Sequence, residues 1–317
     1  MKNTILVSGA SGIVGYGILR SLRMGSKKYR LIGTSIYDFS IAPAFCDIFV
    51  KVPPTLDPEY MDQFREVLNR YSVDMSIPGI ECDMFQWSQA REIMQSTGTF
   101  PLLNNPLLID LCKDKWVFYQ KLHECLPAIA IPTVVKADFN TFATPFILKP
   151  RRGYGSKGII RVNNQSDFEI HKNRIGRELM MQPIVGCDDE EYTVSAFFDN
   201  DSHLIEYFPL KRKLSKEGFT QEAQVVAYDF EAVLCELAEV FQPVGPTNFQ
   251  FRLSGGEIKL LEINPRISSA TSIRARLGYN ESLMSVEYFL HHHIPPKCDR
   301  TRVINKRAIR YTEDYIF

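Results

Sequence analysis

The chain has 317 residues, 45% hydrophobic and 23% charged, with 37 Lys+Arg against 37 Asp+Glu. That length suits two compact domains or one large lobed unit, and the balanced charge offers no overall basic field to nucleic acid or an anionic membrane. No apolar run approaches the roughly 20 residues that span a bilayer, and the N-terminal apolar stretch is too short for a secretory signal. Seven scattered cysteines with no Cys-x-x-Cys fit neither a disulfide framework nor a zinc site, so a reducing cytoplasm is expected.

TILVS at 4–8 predicts a short buried strand, followed by Gly9, Gly12 and Gly15 and a helical pattern through Ile18, Leu19 and Leu22. RLIGTSI at 30–36, ending near Asp38, is a second strand, and FVKVP at 49–53 a third. Residues 58–71 place Met61, Phe64, Val67, Leu68 and Tyr71 at helical spacing. VDMSIPG at 73–79 is a fourth strand, and 83–96 another helix. This β-α-β alternation predicts a parallel, doubly wound sheet over the N-terminal part of the chain. Prolines and asparagines at 100–112 mark a boundary, with a helix after it at 115–122.

Beyond residue 130 the texture turns to hairpins: VVKA, PFILKP, GIIRV, then EEYTVSAFFD against HLIEYFPLKRKL, turned at 199–201. A helix is expected at 229–241, a hairpin turned by Gly255-Gly256, and a last helix at 272–290. His291, His292 and His293 read as the end of that helix, because adjacent residues face different directions and make a poor metal-ligand set.

Three motifs carry chemistry. In LLEINPRISSAT at 260–271, strand alternation puts Glu262 and Asn264 on one face, with Pro265 ending the strand and Arg266 following. Hard divalent cations take such oxygen ligands together with nucleotide phosphates. In FILKPRRGYGSKGI at 146–159, an apolar strand delivers Lys149 just before a loop with Gly153, Gly155 and Gly158, which also carries Arg151, Arg152, Ser156 and Lys157. Glycines let backbone N–H groups approach phosphate oxygens closely. In MMQPIVGCDDEEYTVSAFF at 180–198, a strand, a proline-containing connection and an acidic patch could hold a base by its backbone and a ribose by an acid. GASGIVG at 9–15, with Asp38 downstream, also fits a nicotinamide-binding turn. Tight helix packing asks for the same glycines, and no Tyr-x-x-x-Lys on a mid-chain helix accompanies them.

In order, Asp114-Lys115, the Lys149 strand with its glycine loop, Gln182-Pro183-Ile184-Val185-Gly186 with Glu191, Asn248-Phe249-Gln250, and Glu262-Ile263-Asn264-Pro265-Arg266 resemble the ATP-grasp superfamily. The sequence is most similar to one synthetase unit of the carbamoyl phosphate synthase large subunit and to small carboxylate–amine ligases. The resemblance covers nearly the whole chain, and its strongest motif is Gln250 followed twelve residues later by Glu-x-Asn-Pro-Arg. It implies an α/β fold: a pre-ATP-grasp parallel-sheet domain at 1–105, then a two-lobed α+β ATP-grasp domain at 106–317. The lobes would divide at about residues 184 and 185.

The resemblance also implies roles. Lys115 and Lys149 would contact ATP phosphates, and the loop 152–158, with Arg152, Gly153, Gly155, Ser156, Lys157 and Gly158, would close over them. Backbone from Gln182 through Pro183 and Ile184 to Val185 would hold adenine, with Glu191 on the ribose. Gln250, Glu262 and Asn264 would bind two Mg²⁺, with Mn²⁺ as a substitute, and Arg266 would steady the transferred phosphate. Lys211 or Arg212 would supply a second basic group, the KRK run leaving the register open. Gln182 stands where many relatives have glutamate, and Gln250 replaces an acid, so Glu262 is the one clear carboxylate of the metal set.

The activity implied is ATP- and Mg²⁺-dependent joining of a small carboxylate to an amine through an acyl phosphate. Competing readings are a bicarbonate-phosphorylating carbamoyl phosphate synthase-like subunit, a nucleotide-binding protein without turnover, and a nicotinamide-dependent oxidoreductase. No nucleic-acid or membrane partner is expected, and a homodimer rests on the resemblance alone. Candidate acceptor-site residues are Glu81, Asp83, Arg274 and Arg276.

Overall fold

The computed structural model describes residues 2–153 and 157–316. Its N-terminal part runs β1 (Thr4–Val7), α1 (Ile13–Arg23), β2 (Arg30–Ser35), β3 (Ile48–Lys51), α2 (Tyr60–Tyr71), β4 (Met75–Ile77), α3 (Glu81–Gln89), α4 (Arg91–Gln95) and β5 (Phe100–Pro101). The five strands form a parallel sheet in the order β3-β2-β1-β4-β5. Helices cover both faces, so the strands read as continuous apolar runs. Ile5, Val7 and Leu31 point into one core with Ile18, Leu19 and Leu22 of α1. Leu6 and Ile32 point into the other with Phe64, Leu68, Met84 and Trp87.

The glycines of the first turn are required by packing. A Cβ on Gly15 would lie 2.3 Å from the Gly9 carbonyl oxygen, and one on Gly79 2.1 Å from that of Ser8. The helix expected at 83–96 is two helices, broken where Ala90 leaves helical geometry. The segment expected to be a boundary completes the parallel sheet as β5 and then forms α5 (Pro106–Leu111), capped by Asn105.

The rest runs α6 (Lys115–Cys125), β6 (Phe146–Pro150), β7 (Ile160–Val162), α7 (Gln165–His171), β8 (Leu179–Pro183), β9 (Glu191–Phe198), β10 (Leu204–Leu214), β11 (Thr220–Val225), α8 (Glu231–Phe241), β12 (Gly245–Ser254), β13 (Glu257–Asn264), α9 (Thr271–Arg276), α10 (Glu281–His291) and β14 (Arg307–Ile309). Strands β7-β6-β8 make a small antiparallel sheet, and β13-β12-β9-β10-β11-β14 a large one. Gly255 and Gly256, at φ +60° and +85°, turn the β12–β13 hairpin, which is the positive-φ pair that a two-residue turn needs. Gly278, at φ +99°, splits the helix expected at 272–290 into α9 and α10. His292, also at positive φ, ends α10 as the triplet suggested.

One face of the large sheet, with Tyr192, Val194, Phe249, Phe251 and Ile263, packs on α6 and α8. The opposite face is apolar only at one end, where Phe197, Phe208 and Leu210 meet α9 and α10. The other end of that face is polar and forms the site described below. Helices α9 and α10 also dock on α1: Asn280 Nδ2 donates to Ser21 O at 2.8 Å, and Lys27 pairs with Glu287 at 2.7 Å. Among the described residues, no helix is long and apolar enough to cross a membrane.

Candidate active site

The β12–β13 register sets Gln250 opposite Glu262 and Asn248 opposite Asn264. Alternation sends Phe249, Phe251 and Ile263 into the core and these four polar side chains to the other face. Asn264 Nδ2 donates to Glu262 Oε1 at 3.1 Å, which leaves the amide oxygen free as an acceptor.

Lys149 arrives from β6 by the same logic. Phe146 and Leu148 face the core of the small sheet, so Lys149 faces the large one, where its Nζ donates to Leu261 O at 3.2 Å. It forms no ion pair among the described residues. Burial pulls its ammonium below the usual lysine range, Glu262 opposing this and Lys115 adding to it. Burial also pushes the Glu262 carboxyl up, but Lys149, Lys115, the Asn264 hydrogen bond and Arg212 outweigh it and hold the group below the usual carboxylate range. An uncompensated buried ammonium beside an ionised carboxylate is a place for a polyanion and a divalent cation to enter together.

Between the two antiparallel sheets lies a cleft of about 250 Å³. It brings together Lys115, Lys149, Gly153 and Lys157 with the Gln182–Val185 connection, Glu191, Gln250 and Glu262. Ile131, Ile147, Ile159 and Leu261 give it apolar walls. Lys115 is set by its neighbours: Asp114 caps α6 and holds Arg151 at 2.7 Å, the Lys115 backbone N–H donates to Arg151 O, and its Nζ to Gly153 O at 2.5 Å. Gln182 Nε2 donates to the Thr133 hydroxyl at 2.8 Å. Arg152 is largely exposed, 3.7 Å from Asp114, and Gly158 lies against Pro150. Gly155 and Ser156 lie outside the described residues.

Two expectations change. Phe208, Leu210 and Arg212 share the site face of β10, whereas Lys211 falls on the opposite face with Tyr192 as its strand neighbour and pairs with Glu190 at 2.6 Å. Of the two, Arg212 is the one on the site face. Glu191 is not free for a ribose: its Oε1 accepts from Arg212 at 2.9 and 3.1 Å, and its Oε2 from Arg252 at 2.9 and 3.2 Å. Those four bonds use the acceptor sites of a carboxylate. Arg252 also pairs with Asp188, whose carboxylate is exposed at the cleft. Neither Arg252 nor Asp188 was expected, although Asn248, Gln250 and Arg252 alternate on one strand and could have been read together.

Of the four acceptor candidates, only Glu81 reaches the site, bonded to Arg266 Nη2 at 2.6 Å. Asp83 is buried and accepts from Thr55 at 2.6 Å. Arg274 is fully buried in an ion pair with Glu281, and Arg276 is exposed elsewhere. An ion pair accounts for the buried Arg274 and a hydroxyl hydrogen bond for the buried Asp83, in both cases without a substrate.

Residues 177–314 match the family described as "ATP-grasp in the biosynthetic pathway with Ter operon". A D-alanine–D-alanine ligase of Petrotoga mobilis is 22% identical over 175 residues, a match spanning 54% of this chain and 54% of that enzyme; the matched region thus covers about half of that relative's length. Among solved structures, the N5-carboxyaminoimidazole synthetase of Staphylococcus aureus complexed with ADP superposes with a TM-score of 0.74 at 16% identity, over 94% of this chain and 80% of that one. A biotin carboxylase–βγ-ATP complex from Campylobacter jejuni gives 0.73 at 14%, over 93% and 72%. An L-amino acid ligase from Bacillus licheniformis gives 0.67 at 16%, over 93% and 78%. Residues 177–314 thus match an ATP-grasp family, and the chain shares its fold with these solved structures over nearly all of its length.

Proposed function

We propose that the protein is an ATP- and Mg²⁺-dependent ligase that joins a small carboxylate to an amine through an acyl phosphate. The observation that carries this is Lys149: a buried ammonium with no ion-pair partner among the described residues, lining with Glu262 a cleft that also has apolar walls. Ile131, Ile147 and Ile159 suit a purine ring, and the backbone from Gln182 to Val185 offers it hydrogen bonds. Lys149, Lys115 and Lys157 suit the phosphates. Gln250, Glu262 and Asn264 form an all-oxygen set of the kind Mg²⁺ takes alongside nucleotide phosphates, and the ion would neutralise charge at those phosphates.

A carboxylate is a poor electrophile, so its oxygen first takes the γ-phosphoryl group, and the amine then displaces phosphate. The first step requires mainly alignment and charge neutralisation. Arg212, whose charge acts on Glu262, and Arg266 would meet the developing negative charge.

Lys149→Met tests the reading. If triphosphate is the natural partner of that ammonium, the nucleotide-free variant melts at the wild-type temperature or above it, while MgATP binding weakens and ADP release stops. A destabilised variant with unchanged ATP affinity makes Lys149 a structural residue and removes the observation on which the reading stands.

A further inference from the structure

The ligase reading requires a place for the amine. On the far side of Glu262 and Asn264 lies a second, smaller cavity of about 30 Å³, also bounded by Lys115, Cys112 and Glu81. That is enough room for a water-sized group such as an ammonium. Glu81 opens α3 at the C-terminal edge of the parallel sheet, where open α/β sheets place their ligands. Its side chain is 17% exposed, and Oε1 accepts from Arg266 Nη2 at 2.6 Å. No protein donor reaches Oε2 among the described residues. Arg266 Nε is buried without a partner, and such an orphaned donor calls for an acceptor that the protein alone does not supply.

We propose that Glu81 binds the incoming amine as its ammonium in this cavity and takes the first proton it loses. This rests on the ligase reading above and names its amine subsite. The geometry gives the division of labour. Arg266, next in the chain to the cavity's Pro265, donates one N–H to Glu81 and so holds that carboxylate at the cavity that Glu262 and Asn264 also line. Nucleophile and electrophile are thus held by adjacent groups. One proton passes from R–NH₃⁺ to Glu81 Oε2 and on to solvent. The nitrogen lone pair then forms the C–N bond at the acyl carbon, the C–O bond to phosphate breaks, and the second proton leaves with phosphate as HPO₄²⁻. Met84, Phe85 and Phe118 on the remaining walls favour an amine on a small or apolar carbon over a strongly polar one.

The test uses the full chain, MgATP and a panel of carboxylic acids, with two kinds of nucleophile. Hydroxylamine is uncharged at neutral pH and traps an acyl phosphate as the hydroxamate without help from an ammonium site. Ammonium and primary amines, cationic at that pH, report on the subsite. In Glu81→Gln the ratio of amide to hydroxamate product should fall about 100-fold, the scale of a lost general base, and recover as pH rises and the amine deprotonates in solution. An unchanged ratio overturns the proposal. A raised Mg²⁺ requirement also overturns it, by making Glu81 a metal ligand, and so does weakened MgATP binding. A wild-type protein that forms neither product with any acid sinks the ligase reading itself, and that result is seen before any variant is made.

Discussion

At residues 9–15 the backbone is packed so closely that a Cβ on Gly15 would sit 2.3 Å from the Gly9 carbonyl oxygen, and Gly79 presses as tightly on Ser8. At Gly153, in the other glycine-bearing loop, φ is +124° and, among the described residues, nothing lies within 4 Å of where a Cβ would be. As sequence the two stretches look alike, each a strand followed by glycines suited to a phosphate. In the first the neighbours demand glycine, and α9 and α10 cover α1 from the side, with the Gly17 Cβ position 3.1 Å from Thr271. In the second the backbone conformation demands it, and the space beyond belongs to the cleft. In this chain close packing therefore accounts for the first loop's glycines without a phosphate, whereas it does not account for Gly153.

The sharpest way to break this contrast is to remove the chemistry near the second loop. Glu262→Gln takes away the one carboxylate of the metal set, and turnover should fall at least about 1,000-fold, equivalent to about 4 kcal/mol of transition-state stabilisation, with the melting temperature retained. Near-normal turnover at saturating Mg²⁺ would take Glu262 out of the site.

A second comparison acts on the glycines themselves. Gly79→Ala drives a methyl into backbone that cannot move aside and should lower stability by about 3 kcal/mol or more. Gly153→Ala meets only the strain of positive φ, about 1 kcal/mol, and its main effect should be on MgATP binding. Denaturant unfolding of both variants checks this, and equal losses would erase the distinction. Ligands give the third. MgATP at 100 times its dissociation constant should stabilise the protein by about 2.7 kcal/mol, while NAD and NADP leave the melting curve unmoved. Stabilisation by a dinucleotide instead would return the first loop to a binding role.

The parallel sheet, the Lys149 strand and the Glu262–Asn264 face were legible because period-two and period-3.6 patterns report burial directly. The breaks at Ala90 and Gly278 were not, since apolar spacing runs on through both. Strand β11, TQEAQV, and β14, RAI, carry too few apolar residues to announce themselves; β10 offers β11 an edge, and β11 offers the next one to β14. Within the site, KRK at 211–213 left the facing residue open until the register with β9 was known. The capture of Glu191 by Arg212 and Arg252 joins three strands, which no local pattern encodes. Asp83 and Arg274 mislead for the same reason, because their partners are far away in sequence or hidden in the fold.

The smallest expected effect concerns how the first loop's helix is held. Glu287 on α10 accepts from Lys27 at 2.7 and 2.8 Å, from Tyr29 at 3.0 Å and lies 2.9 Å from His293 Nδ1. Burial pushes its carboxyl up, but the bonds from Lys27, His293 and Tyr29 prevail and bring it down from 4.5 to about 2. A carboxylate whose value is lower in the folded state stabilises fully above its unfolded value and loses that contribution as pH falls through the folded one. The clasp should therefore work at neutral pH and fade between about 4.5 and about 2. Because the pair is partly exposed and screened, Glu287→Gln should cost only about 0.5–1 kcal/mol at pH 7 and low salt, less at high salt, and nothing near pH 2. Lys27 and Tyr29 lie just after α1, so the variant should also raise amide exchange along Ile13–Arg23 while leaving the cleft strands β12 and β13 protected. A loss that persists at pH 2, or exchange that rises equally in both regions, would show that this ion pair does not selectively hold α1 in place.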